Sequence, residues 1–217
     1  MRRLAAVPAL GAVAMLALAA PAHADPVPFK IDPNHSQVSF TIRHFFSRVP
    51  GRFNEFSGTL LLDEKGLAKS SADVTIKAAS IFTNNEERDK DLRSPHFFSV
   101  DSFPALTFKS TKVTPGAGGK VRIEGILTMR GVAKPVVLEG SFLGAGSTKL
   151  GMGYDPGYRA GFEATATIDR KAWGIVWNQV LDQGGTMLGD DVAITIGVEA
   201  VRSEAAKGGG ASAGKKP

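Results

Sequence analysis

The sequence IDPNHSQVSFTIRHFF, residues 31–46, decides the fold. A polar turn at residues 32–36 is followed by a strict alternation between two faces, Val38, Phe40 and Ile42 against Ser39, Thr41 and Arg43. A period of two predicts a β-strand with one buried face and one face in water. Arg43 falls on the outward face, so we expect it to be a surface ion-pair partner.

Similar segments recur along the chain, separated by glycine-rich turns such as 116–119 and 144–146. The predicted strands are Thr59 to Leu62, Val74 to Ala78, Leu106 to Lys112, Val121 to Met129, Val136 to Phe142, Phe162 to Ile168 and Val192 to Val201. Together with the first strand they make eight. Eight strands suit a closed antiparallel barrel whose interior is filled by side chains or holds one small ligand. A β-sandwich is the alternative, because periodicity does not separate the two.

Two segments depart from this pattern. In the first, Ala79 to Phe98, Thr83 and Glu86 make a capping box, and Pro95 is expected to end the helix. Its aromatic flanks predict a short helix that lies as a lid on one mouth of the barrel. The second, Lys171 to Leu188, contains both tryptophans and several glycines and is expected to be a rim loop.

The two ends of the chain predict export and a tail. Residues 1–24 have two arginines, an apolar stretch and a small-residue cleavage site after Ala24, which is typical of a secretory signal peptide. We therefore expect an exported protein, either periplasmic or secreted, whose barrel domain spans residues 25–202. Residues 203–217 are small, glycine-rich and charged, and are expected to be disordered. The chain has no cysteine, so disulfides are excluded.

Composition argues against several kinds of chemistry. The net charge is +5, which falls to +3 without Arg2 and Arg3, and no basic cluster with interleaved aromatics indicates a nucleic-acid partner. No histidine pair has metal-ligand spacing, and there is no Gly-x-Ser-x-Gly elbow or phosphate-binding glycine loop. We therefore assign no catalytic residue, cofactor or metal, and expect a protein that is not an enzyme.

The notable property that remains is the large number of bulky apolar side chains. The chain has thirteen phenylalanines and two tryptophans against two tyrosines. These rings either fill the barrel or line an elongated cavity, since ligand pockets are concave and mostly apolar. Strand phase points one set inward, namely Val38, Phe40, Ile42, Val74, Ile76, Leu106, Phe108, Leu138, Phe142, Phe162, Ile168, Ile194 and Ile196.

Several motifs, in order, resemble the YceI-like family of exported isoprenoid-binding proteins. They are Ile31-Asp32-Pro33-x-His35-Ser36, Gly51-Arg52-Phe53, Ala79-Ser80-Ile81-x-Thr83, Arg88-Asp89, Phe103-Pro104, Gly131-Val132-x-Lys134-Pro135 and Trp173-Gly174. The resemblance covers about Phe29 to Val201. One departure is Lys90-Asp91-Leu92, where the family often has Asp-His-Leu, so no role of that histidine is carried over.

The resemblance implies a lipocalin-like barrel that holds a long polyisoprenoid in the periplasm, without established catalytic activity. A prenyl chain has few hydrogen-bonding groups, and each buried methylene contributes about 0.8 kcal/mol, so an apolar sleeve suffices for affinity. The expected ligand is a polyprenyl phosphate or pyrophosphate or an isoprenoid quinone. Two other functions stay open, an enzyme acting on such a lipid and an accessory module for a membrane redox partner. The oligomeric state, including a dimer, is also open.

Two sets of candidate residues follow for such a ligand. The apolar cavity is expected to use Val38, Phe40, Ile42, Phe45, Phe46, Phe53, Ile76, Phe82, Phe98, Phe108, Leu138, Phe142, Phe162, Trp173 and Ile194. The head group is expected to meet His35, His44, Arg52, Arg88, Arg130 and Asn178. The alternative for the second set is ordinary turn capping and salt bridging on the rim.

Overall fold

The computed structural model describes residues 25–151, 153 and 155–203. The signal-peptide prediction for residues 1–24 lies outside the described residues, as does the tail prediction beyond Ser203. Ser203 itself directly follows the last strand, and its N–H donates to the carbonyl of Pro28 at 2.9 Å. Among the residues that the structure describes, no helix is long and apolar enough to cross a membrane.

Eleven strands and one α-helix make up the described chain. The strands are β1 Val27–Ile31, β2 Gln37–His44, β3 Ser47–Phe53, β4 Phe56–Leu62, β5 Ser71–Lys77, β6 Ile81–Phe82, β7 Ala105–Pro115, β8 Lys120–Met129, β9 Val132–Ser147, β10 Tyr158–Asp169 and β11 Leu188–Arg202. The helix is α1 Glu86–Arg93. Short 3-10 turns occur at Pro33–His35, Leu67–Lys69, Ala78–Ser80, Ala117–Gly119 and Arg170–Trp173.

The strands form a closed antiparallel barrel of eight, which confirms the predicted fold and excludes the sandwich. The ring runs β1-β4-β5-β7-β8-β9-β10-β11 and closes because β11 also pairs with β1. Along the remainder of β11, the partner is β2, which pairs in turn with β3. β1 and β2 are therefore two parts of one pass along the wall, interrupted by residues 32–36.

The interruption between β1 and β2 has a local cause. Pro33 begins a 3-10 turn, and the Asp32 side chain caps it by accepting the N–H of Asn34 at 3.1 Å. Ser36 Oγ donates to the carbonyl of Glu199 at 3.1 Å and accepts the N–H of the same residue at 3.0 Å. The inserted turn is thus held against β11, and the chain resumes its extended course at Gln37.

All eight predicted strand segments lie in strands, except that Ala78 belongs to the 3-10 turn after β5, but β1, β3 and β6 were not predicted. β3 reads SRVPGRF, in which a proline and a glycine break the alternation of apolar and polar residues. The predicted helix is confirmed, and it ends at Arg93, two residues before Pro95. Its predicted cap was wrong, since the Asn85 side chain, rather than Thr83, accepts the N–H of Arg88.

The up-and-down course of the strands sorts the connections between two ends of the barrel. One end, which we call the mouth end, carries the connections at residues 45–46, 78–104, 130–131 and 170–187. The other end carries the connections at residues 63–70 and 116–119 and the segment that begins at residue 148.

Candidate functional site

The barrel encloses an apolar cavity of about 570 Å³. Its wall contains every residue of the inward-phase set except Phe142, together with Phe53 from the end of β3 and Phe98 from the mouth-end connection. Alternate residues of a strand point to opposite faces, which is why a period read from sequence places these side chains on one surface. A wall of this composition binds apolar matter by removing it from water.

Two phenylalanine rings lie flat on the wall rather than across the cavity. A Cβ built on Gly51 would stand 2.3 Å from Cζ of Phe40, its cross-strand partner, and a Cβ on Gly125 would stand 2.4 Å from Cζ of Phe108. Each ring therefore occupies the space where its glycine has no side chain. The wall bears large aromatic groups and still leaves the interior hollow.

A second group of side chains closes the end opposite the mouth. Phe29, Leu62, Ala160 and Ala200 are buried there, and we call them the floor. Phe29 is fully buried, and its ring meets the edge of the Tyr158 ring at 6.2 Å between centroids. The Tyr158 hydroxyl donates to Glu64, and this hydrogen bond raises the pKa of Tyr158.

Polar groups line the cavity at the mouth end. His44 lies at the end of β2, and Glu87, Arg88 and Asp91 project from α1. Glu87 and Asp91 are exposed, so the cavity reaches the surface beside this helix. The helix therefore stands at the mouth as the lid prediction required, with charged groups where the apolar wall ends.

Arg88 is fixed by the residues just before the helix. Its Nε donates to Oγ1 of Thr83 and its Nη2 to the carbonyl of Thr83, both at 2.7 Å. Thr83 is held in turn by Asp89, whose Oδ1 accepts its N–H at 2.8 Å and its hydroxyl at 2.5 Å. No hydrogen bond of Arg88 Nη1 is found within the described chain, so this nitrogen is available to an anionic or carbonyl group at the mouth.

The rim loop at residues 170–187 is held by a buried arginine. Arg170 is only 3% exposed, and it donates to the carbonyls of Gly189 at 2.9 Å, Ile175 at 2.7 Å and Trp177 at 2.8 Å. Burial lowers the pKa of Arg170, and the nearby carboxylate of Asp190 opposes that shift. This guanidinium fixes the backbone from which Ile175 and Trp177 line the cavity.

Five apolar candidates lie outside the cavity, and the prediction for them is corrected. Phe45 and Phe46 form the tip of the β2–β3 hairpin and are exposed. Phe82 lies on the outer surface under the guanidinium of Arg52 at 5.1 Å. Phe142 packs on Phe162 near the floor, where the β9–β10 register shifts. Trp173 is packed in the core with Nε1 donating to the carbonyl of Leu127 at 3.2 Å.

Four head-group candidates are likewise engaged elsewhere. Arg52 covers Phe82 and donates to Asn54 at 2.8 Å. Arg130 donates to the carbonyls of Pro95 and Phe97, which ties the β8–β9 turn to the mouth segment. The Asn178 amide bridges both the N–H and the carbonyl of Leu188. His35 lies on the outer wall, so only His44 and Arg88 of the six line the cavity.

His35 belongs to an ion cluster outside the barrel. Its Nδ1 is 2.8 Å from Oδ2 of Asp32, and Arg159 donates to both Asp32 and Glu199. The hydrogen bonds from His35 and then Arg159 lower the pKa of Asp32 from 3.8 to about 2. The same carboxylates raise the pKa of Arg159. The cation that neutralises this cluster is the Arg159 guanidinium, so the group is structural.

Sequence reasoning also missed residues and contacts. Trp177 and Met187 line the cavity from the rim loop, and Leu92 lines it from α1. The sequence gives little indication for the two loop residues, because an irregular loop has no repeating pattern from which the direction of a side chain could be predicted. Arg43 was expected to form an ion pair, but it forms none with the residues that the structure describes. It donates to the backbone carbonyls of Phe45 at 3.3 Å, Thr186 at 3.1 Å and Leu188 at 3.4 Å.

A closed antiparallel barrel with an apolar interior and a polar mouth is the architecture of small carriers of apolar ligands. The model of the YceI-like domain matches residues 29–200. A UPF0312 protein of Pectobacterium atrosepticum is 40% identical over 196 residues, which are 90% of this chain and 96% of that relative. One from Pseudomonas paraeruginosa is 40% identical over 177 residues, 80% of this chain and 86% of the relative. The chain belongs to the YceI-like family, as its motifs indicated.

Solved structures agree with this assignment. The Campylobacter jejuni YCEI protein is 29% identical, covers 75% of this chain and 90% of its own, and superposes with a TM-score of 0.61. Burkholderia cenocepacia BcnA is 23% identical with a TM-score of 0.66, covering 79% and 99%. A polyisoprenoid binding domain from Saccharophagus degradans is 12% identical with a TM-score of 0.58, covering 82% and 99%. The matches to BcnA and to the polyisoprenoid binding domain show that these two proteins have the same fold as this chain.

Proposed function

We propose that this protein binds a long isoprenoid lipid inside the barrel and carries or sequesters it. The observation that carries the proposal is the hollow apolar cavity, which runs along the inside of the barrel and reaches the surface beside α1. Burying ten methylene-sized groups contributes about 8 kcal/mol, which offsets the costs of association, and each further buried methylene of a long prenyl chain adds about 0.8 kcal/mol. The polyisoprenoid binding domain of similar fold supports this choice of ligand.

The head group of such a lipid would lie at the mouth. Arg88 offers its Nη1, and His44 lines the same end of the cavity from β2. A phosphate, a pyrophosphate or a quinone carbonyl accepts hydrogen bonds from these groups, while the prenyl chain extends towards the floor. We propose binding rather than catalysis, and no residue is given a catalytic role.

The proposed location is the periplasm. Residues 1–24 read as an export signal, and that prediction supports a role on the outer side of the inner membrane. A carrier in that compartment would move an insoluble lipid through water or hold it for a membrane partner. A redox protein that uses an isoprenoid quinone is one partner of this kind.

Filling the cavity tests the proposal. Ile194 lines the cavity, and its neighbour Thr195 points to the outer face, so Ile194→Trp and Thr195→Trp form a matched pair on one strand. The added indole should displace ligand in the first variant and leave binding unchanged in the second. Titration of each delipidated variant with a short polyprenyl phosphate and with a ubiquinone analogue measures its ligand affinity.

A second measurement identifies the ligand carried from the cell. Native mass spectrometry of the purified protein, followed by organic extraction, should release an isoprenoid from the wild type and from Thr195→Trp but not from Ile194→Trp. Equal lipid recovery from both tryptophan variants would refute binding in the interior, and so would the absence of any isoprenoid from the wild type.

A further inference from the structure

Several large apolar side chains are exposed around the mouth. Phe45 and Phe46 form the hairpin tip, and Val176 and Val180 project from the rim loop. Phe46 is fully exposed and Val180 is 80% exposed. We call these four residues the apolar rim. Exposed apolar groups gathered at one place, rather than scattered singly, are typical of an interaction surface.

The two parts of the apolar rim are joined to each other and to the cavity wall. The N–H of Phe45 donates to the carbonyl of Met187 at 2.8 Å, and Thr186 forms an isolated bridge with Val180. Arg43 donates to Thr186 as well, so the hairpin and the rim loop are fixed as one surface. Met187 lines the cavity, so the apolar rim borders the mouth.

The hairpin also carries unbalanced positive charge. Arg43 and Arg48 stand directly opposite each other on β2 and β3, and neither forms an ion pair within the described chain. Like charges opposite each other in a sheet repel, and the charge of Arg43 acts on the carboxylate of Asp190, whereas Arg48 is exposed without an ion-pair partner in the described chain. Aromatic residues flanked by arginines are suited to the boundary between phosphate head groups and acyl chains.

The bare edge of β3 does not favour strand addition by another protein. Within the described residues, β3 has a second strand partner only at Arg52 and Phe53. Pro50 lies in the unpaired stretch and has no N–H to offer, and Arg48 places a charge there. Proline and charge are the devices by which natural sheets block edge-to-edge pairing.

We propose that the apolar rim docks on an anionic lipid bilayer, with Phe46 and Val180 inserted among the acyl chains and Arg43 and Arg48 beside the phosphates. The docked mouth faces the membrane, so an apolar ligand passes between bilayer and cavity without crossing water. That passage rests on the proposed function, whereas docking itself does not.

Vesicle binding by the purified protein tests the docking. Phe46→Asp should weaken binding to phosphatidylcholine–phosphatidylglycerol vesicles by at least about tenfold, because it removes a buried ring and adds a negative charge. Leu143→Asp is the matched control, since Leu143 is 63% exposed but lies towards the other end of the barrel. It should bind as the wild type does.

Arg48→Glu tests the charge, with Lys112→Glu on an exposed position of β7 as its control. Wild-type binding should fall with added salt and on pure phosphatidylcholine, and Arg48→Glu should lose that dependence. Equal weakening by Phe46→Asp and Leu143→Asp would overturn the proposal. So would sedimentation showing that Phe46→Asp converts a dimer to a monomer, since the rim would then cover a second copy of this chain.

The cavity variant keeps the two proposals separate. Ile194→Trp should bind vesicles like the wild type even if it holds no ligand, because the added ring lies inside the barrel. If Ile194→Trp binds vesicles but the wild type carries no ligand, the docking proposal is supported and the lipid-carrier proposal is refuted. Failure of wild-type protein to bind anionic vesicles, with ligand binding intact, would remove docking alone.

Discussion

Single residues keep the interior of this barrel hollow. Gly51 and Gly125 have the clearest role, because the rings of Phe40 and Phe108 rest where a Cβ would be. An inward alanine at either position would push the ring towards the centre of the cavity. The size of the cavity therefore depends on residues that contribute no side chain to its surface.

Gly51→Ala should reduce ligand affinity several-fold and lower the free energy of unfolding by about 1–3 kcal/mol, because the Phe40 ring must leave its place on the wall. Isothermal titration with a prenyl ligand and thermal unfolding measure the two effects. Gly146→Ala is the control, since a Cβ there has no neighbour within 4 Å and both quantities should stay unchanged. Equal behaviour of the two variants would contradict this account of the wall.

Asp32→Asn should lower stability at neutral pH by about 1–2 kcal/mol, since the ionised carboxylate gains from His35 and Arg159. The pKa of Asp32 is about 2 in the folded protein and near 3.8 when unfolded. Its contribution is therefore full above about pH 4 and declines as the pH falls towards 2.

Urea unfolding of wild type and Asp32→Asn at several pH values measures this contribution, and the two curves should converge on acidification. Asp73→Asn is the control, because Asp73 pairs with Lys109 at 3.5 Å and both side chains are largely exposed. Such an exposed pair contributes little to stability, so the free energy of unfolding of the control should differ from that of the wild type by less than about 1 kcal/mol. A constant difference between wild type and Asp32→Asn down to pH 2 would contradict the linkage.

Sequence alone placed single residues well where a strand has a regular period. Ile76, Phe108 and Ile194 point inward because alternation in a sheet is strict. Phe142 also keeps the inward phase, opposite Phe162, but it packs on the floor instead of lining the cavity. Phe46 could not be placed by period at all, since it occupies a two-residue turn.

At the scale of elements, the rim loop depends on one buried side chain. Three carbonyls at and beyond the loop converge on Arg170, and Asp190 lies 3.3 Å from its Nη2. Asp190 also accepts from Lys171, and that hydrogen bond is the main cause of its lowered pKa. Hydrogen bonds to the Arg170 guanidinium therefore order this loop, as hydrogen bonds to neighbouring strands order a β-strand.

Arg170→Met should destabilise the fold by about 3–5 kcal/mol, because buried carbonyls are left without donors. For a domain of this size the corresponding fall in Tm is roughly 10 °C. Lys171→Met is the control, since Lys171 is exposed and should shift the Tm by only a few degrees. The Tm of Arg170→Lys should be close to that of Arg170→Met, because one ammonium group cannot hydrogen-bond to all the same carbonyls.

Sequence predicted the elements with long apolar periods and missed the short ones. β6 has only two residues, and β3 contains Pro50 and Gly51, which are rare in paired strands. The helix cap was misplaced by two residues because Thr83 and Asn85 are both capping residue types. Only the structure shows that Thr83 is turned towards Asp89 and Arg88 instead.

At the scale of the whole molecule, the two ends of the barrel have different chemistry. The floor is apolar and packed, whereas the mouth combines charged groups inside with the apolar rim outside. The cavity could be predicted as a possibility from the excess of phenylalanine, but its open volume could not. Whether large side chains fill or line a space depends on small residues such as Gly51 and on their partners across the sheet.

The shared strand β11 has a geometrical consequence for how a long molecule reaches the interior. β1 joins β11 to β4 in one half of the wall, whereas in the other half β3 ends the sheet with residues 47–51 unpaired on one side. Separation of the wall along that edge would break no ladder hydrogen bond within the described chain. For the proposed lipid we therefore expect loading from the side, segment by segment, rather than end-on. Sideways loading lets a ligand longer than the barrel leave its excess length outside.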